Sequence, residues 1–105
     1  MTYDYCMATI TCASRADAER LAAGVLEKRL AACVQLLEIT SFYEWKGKLN
    51  KDPEVLMILK TRKALYPLLE DHIVRHHPYD VPEIIQIPIE NGLGAYLDWI
   101  DEVTR

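Results

Sequence analysis

The residues of this chain that could do chemistry are few. RHHPYDVPEII, residues 75–85, sets His76 and His77 side by side ahead of Pro78, and ITCAS, residues 10–14, carries the thiol of Cys12. One thiol and two imidazoles make a ligand set, and sulfur with imidazole nitrogen suits Cu(I), Cu(II) and Zn(II) better than Mg or Ca. A local reading competes with this one. Histidines near a helix C-terminus interact favourably with its negative end, and a proline after them disfavours helical backbone at His77 and stops the helix. The same dipole favours protonated imidazole, which opposes metal binding at low pH. His72 lies one turn before His76, a separation that allows chelation, although a histidine on an apolar stripe is more often simply packed. Cys6 and Cys33 read as small core residues. No Gly-x-Ser-x-Gly elbow, phosphate-cradling loop or Cys-x-x-Cys pair is present, so the chain does not suggest an enzyme.

The elements that must position these groups follow from pattern. Tyr3 to Cys12 is rich in β-branched and aromatic residues and predicts a strand. Ser14 is placed to cap a helix, with Asp17 three residues on. Ala18, Leu21, Ala22, Val25 and Leu26 mark its buried face, and it should end near Leu30. Cys33 to Trp45 is a long strand, KGKLN a turn, and Glu54 to Thr61 the returning strand of a hairpin. Its VLMIL run is apolar at every position, as in an interior strand covered on both faces. Pro67 suits the first turn of a second helix, and Leu65, Leu68, Leu69, His72, Ile73 and His76 form its stripe. Glu83 to Ile89 is a last strand, and Ala95 to Val103 a terminal helix.

Strand–helix–strand, strand–helix–strand, helix describes two split βαβ units, an α+β ferredoxin-like sandwich with an added C-terminal helix. In that topology the third strand lies between the first two, and the fourth flanks the first. The first strand and the second helix then finish at the same end of the sheet, which brings Cys12 to His76 and His77. Tyr43, Glu44 and Trp45 reach that end too, with Glu54 across the hairpin. Both main helices cover one face, so the apolar residues on the other imply a partner sheet and self-association.

At 105 residues the chain has the size of one domain, and it is half hydrophobic and 27% charged, an ordinary globular composition. A formal net charge of −4 without a Lys/Arg cluster argues against nucleic acid as a partner. Apolar runs are too short for a membrane span, and the N-terminal segment lacks the basic lead of a secretory signal. Three cysteines cannot all pair within one chain, which points to the reducing cytoplasm.

LEKRLAACVQLLEITSFYEWKGKLNKDPEVLMILKTR, HHPYDVPEIIQIPI and YLDWI, taken together, resemble the CutA divalent-cation-tolerance family, in unbroken order from first strand to last helix. The resemblance implies one CutA-like domain over residues 1–105 and a homotrimer similar in architecture to PII signalling proteins. It also implies divalent-metal tolerance with copper as the metal, in either oxidation state, and zinc as an alternative. The family's copper ligands correspond to Cys12, His76 and His77. Two other functions stay open: a sensor of a small anionic molecule in inter-subunit clefts holding Tyr43, Trp45, Lys60, Tyr79 and Glu83, and a protein-binding scaffold of the kind proposed for animal members.

Overall fold

The computed structural model describes residues 3–105; Met1 and Thr2 lie outside the described residues. The elements run β1 (Tyr5–Cys12), α1 (Arg15–Glu27), β2 (Cys33–Trp45), β3 (Lys48–Arg62), a short 3₁₀ turn (Lys63–Leu65), α2 (Tyr66–His76), β4 (Ile84–Ile89) and α3 (Gly94–Val103). The four strands form one sheet in the order β2-β3-β1-β4, antiparallel throughout, which is the order expected of the split βαβ pattern. The fold is α+β.

Local chemistry accounts for the boundaries. Ser14 Oγ accepts the N–H of Asp17 and caps α1. The helix stops at Glu27, short of Leu30, because Arg29 turns left-handed (φ 57°). Arg29 is held there by guanidinium bonds to the carbonyls of Val103 and Glu102. Pro67 opens the first turn of α2, and His77, just ahead of Pro78, is extended (φ −81°, ψ 137°). The hairpin turn is tighter than KGKLN suggests. Only Lys46 (φ 51°) and Gly47 (φ 76°) form it, a mirror-image turn matched to strand twist. The ladder therefore continues to Trp45 and Lys48, and β3 begins at Lys48 rather than Glu54.

Register then sorts the side chains. Cys12 lies opposite Val55 and Ile10 opposite Met57, so alternate residues of β1 and β3 share one face. That face carries Ala8, Ile10, Cys12, Val55, Met57 and Leu59, which pack under Ala18, Leu21 and Val25 of α1 and Leu69 and Ile73 of α2. Each fully buried large aliphatic contributes roughly 1.5–3 kcal/mol. The second face is only partly covered. α3 sits over one end, where Tyr5 donates to Asp101 at 2.6 Å and the Lys60 ammonium lies over Tyr96. Elsewhere Leu37, Ile85 and Ile87 remain exposed. Beyond Val55 the β2–β3 hairpin pairs only with itself and overhangs the body, with Phe42, Trp45 and Leu49 exposed along it.

Candidate functional site

The end of β1 and the end of α2 meet as the topology requires. Arg20 of α1 donates to the carbonyl of His76 at 3.1 Å, satisfying one of the C-terminal carbonyls that α2 leaves without a helical partner. Pro78 turns the chain, and the extended backbone at His77 swings that imidazole inward toward β1.

Both ring nitrogens of His77 are committed. The N–H of Tyr79 donates to Nδ1 at 3.1 Å, so Nδ1 is the unprotonated nitrogen. The proton therefore sits on Nε2, which donates to the carbonyl of Thr11 at 2.8 Å. The same Nε2 lies 3.8 Å from Cys12 Sγ. Both residues are buried. The Cys12 thiol donates to Met57 Sδ at 3.6 Å. Burial, and secondarily the charge of Asp17, push its pKa up to about 11, so at neutral pH it is a thiol and not a thiolate.

His76 goes elsewhere. Its ring is exposed, its Nδ1–H donates to the carbonyl of His72 at 2.7 Å, and it stacks on the His72 ring at 4.2 Å. Of the three sequence-derived ligands, the structure brings Cys12 and His77 together and holds His76 apart. A helical residue pointing back along its own axis reaches the preceding turn, whereas the residue after the helix stop is free to cross to the sheet. Among the described residues, no three His, Cys, Asp or Glu side chains are grouped to hold a metal ion. Methionine lies outside that set, and Met57 is the neighbour that motif reading missed. Inward parity of the VLMIL run and antiparallel pairing with β1 were the signal that could have found it.

Cys6 is a buried core residue, as expected, while Cys33 is half-buried and shares the face of Lys60. His72 is buried against α1 at Gly24, where an added Cβ would meet its Nε2 at 3.2 Å.

Beside the pair opens a cleft of about 570 Å³ between the overhanging hairpin and the turn after α2. Thr11, Tyr43, Trp45, Tyr79 and Val81 line it, and its charged residues are Glu54, Asp80 and Glu83. Tyr79 donates to Glu54 at 3.3 Å and Tyr43 to Asp52 at 2.5 Å. Lys60, the cation of the anion-sensing alternative, shares the sheet face of Glu54 but stands further along β3, near Tyr96 and away from the cleft. The cleft is acidic, which suits a cation and repels an anion.

The sequence model described as CutA1 divalent ion tolerance protein matches residues 6–103. The chain belongs to the CutA1 family. "Protein CutA" of Homo sapiens is 50% identical over 99 residues, 93% of this chain and 55% of the human one. Similar shares hold for other animal CutA proteins, so the chain spans about half the length of these relatives. A "Divalent-cation tolerance protein CutA" of Archaeoglobus fulgidus is 47% identical over 96 residues, covering 91% of this chain and 94% of its own. A solved CutA structure from the same organism, titled a periplasmic divalent cation tolerance protein, superposes with a TM-score of 0.94. It shows 44% identity over 96% of this chain and 99% of its own.

Proposed function

We propose that this chain binds copper for divalent-cation tolerance, as a homotrimer, with Cys12 and His77 as the core of its metal site. The observation that carries the reading is the 3.8 Å approach of Cys12 Sγ to His77 Nε2 in a buried corner next to an acidic cleft. Thiolate and imidazole are ligands that copper and zinc prefer, and the carboxylates at the cleft raise the local cation concentration beside them. Ligation requires the thiol to lose its proton and His77 to release Thr11. The reaction class is binding, in keeping with the family's description, and not catalysis. The resemblance also names His76, but its ring is held on the His72 carbonyl and ring, apart from the pair.

Self-association rests on a separate physical argument. Phe42 (74% exposed), Trp45 (57%) and Leu49 (90%) stand on a hairpin that overhangs the body, and β2 and β4 are open sheet edges. Such edges and aromatics are an aggregation hazard unless another chain covers them; the number three comes from the resemblance. Three unpaired thiols fit a reducing compartment, which favours the cytoplasm for this chain.

An anaerobic copper titration against a competing chelator tests the reading. Cys12→Ser should weaken binding at least about tenfold, or about 1.4 kcal/mol, while Cys33→Ser leaves it unchanged. Equal binding by the parent and Cys12→Ser would overturn it.

A further inference from the structure

We propose that Met57 Sδ, and not His76, completes the metal site, giving a Cys12–Met57–His77 donor set selective for a soft monovalent ion, Cu(I). The inference rests on the copper reading above and assigns its third ligand and oxidation state.

Cys12 Sγ lies 3.6 Å from Met57 Sδ and 3.8 Å from His77 Nε2. With metal–sulfur bonds of about 2.3 Å and a metal–nitrogen bond of about 2.0 Å, trigonal donors lie about 4.0 Å (S to S) and about 3.7 Å (S to N) apart. The two spacings from Cys12 Sγ are within a few tenths of an ångström of these, and the unbranched methionine side chain can adapt to bring its sulfur to the same ion. Each donor is delivered by a different element: Cys12 by β1, Met57 by β3 through the shared-face register, and His77 by the stop of α2. His76 lies outside the arrangement, held by its bond to the His72 carbonyl and its stack on the His72 ring.

Charge and burial select the ion. Cys12 and Met57 are fully buried and His77 is 7% exposed. One thiolate neutralises a monovalent ion, so the filled site is uncharged. A divalent ion with the same donors would leave a net positive charge in the interior, which is strongly disfavoured. Thioether sulfur is also a soft ligand of the kind that suits Cu(I).

The binding step balances without a redox partner. Cu(I) displaces the thiol proton of Cys12 to solvent, and the metal–sulfur bond forms with the thiolate lone pair. The Nε2 proton of His77 moves to Nδ1, freeing the Nε2 lone pair for the metal. Two backbone hydrogen bonds, to the Thr11 carbonyl and from the Tyr79 N–H, are given up. Thr11 and Tyr79 also line the acidic cleft, so the groups that must yield lie on the route from solvent.

The test uses the full chain with selenomethionine, loaded anaerobically with Cu(I) and read by copper-edge X-ray absorption, beside chelator-competition titrations of variants. The proposal expects a copper–selenium vector, at least a tenfold weakening by Met57→Leu, and unchanged binding by His76→Ala. Met7 lies on the opposite face of β1, so it cannot supply that vector. No selenium neighbour, with His76→Ala weakening the site, would overturn the Met57 assignment and leave the copper reading standing. If Cys12→Ser and His77→Gln also bind like the parent, both fall. Should Met57→Leu fail to fold, the selenium vector alone decides.

Discussion

His77 donates its Nε2–H to the Thr11 carbonyl at 2.8 Å, and this single bond ties the exit turn of α2 to the last residues of β1. Its other nitrogen accepts from the Tyr79 backbone, so one side chain braces the exit turn and ties it to β1. His77→Ala should therefore destabilise the protein whether or not metal is present. The buried Thr11 carbonyl and the part-buried Tyr79 N–H each lose a partner, a cost of about 1–3 kcal/mol, chiefly from the first. Denaturant unfolding of the metal-free protein checks this. His77→Gln, which keeps a donor, should recover part of the loss, and equal stability of the Ala variant would show that the turn holds without the ring.

His72 predicts an acid limb of stability. Burial first, then the neighbouring His76 and Lys28, hold its pKa below the ordinary 6.5, with only Asp71 opposing. The unfolded chain protonates this ring near 6.5, before the folded one does. The unfolded state then binds more protons, so stability is complete above about pH 6.5 and falls as acidification proceeds through the lowered folded pKa. Melting curves from pH 8 to pH 5 should show a decline that His72→Leu reduces. An identical decline in both would move its origin elsewhere.

The fold was largely legible in the sequence because its signals were strong and local. Ser14, Pro67, Pro78 and the alternating β1 residues each dictate geometry within a few positions. The reach of the hairpin was less legible, since the whole KGKLN stretch reads as turn-like although only Lys46 and Gly47 adopt turn geometry. The site was half legible. Topology alone brings Cys12 and the end of α2 together, but it cannot separate His76 from His77. That separation depends on which ring lies before and which after the helix stop. Met57 was hidden by an unspecialised residue type inside an apolar run, its sulfur informative only once the register is known.

Thiol chemistry gives an independent check of the buried corner. Burial raises the pKa of Cys6 and of Cys12 to about 11. At pH 8 the thiolate fraction of either is on the order of one in a thousand. Both should react with a thiol reagent at least about a hundredfold more slowly in the native protein than in the denatured chain, while half-buried Cys33 reacts faster than either. Rapid modification of all three in the native protein would mean that the corner is open.

The central claim, a copper-binding homotrimer, is tested most directly by native mass spectrometry of the protein after anaerobic Cu(I) loading, because one spectrum reads subunit number and metal count together. The account predicts a trimer carrying three copper ions, one per Cys12–His77 pair, and a copper-free trimer for Cys12→Ser. A copper-free parent, a monomer, or a Cys12→Ser trimer that still carries three copper ions would contradict it.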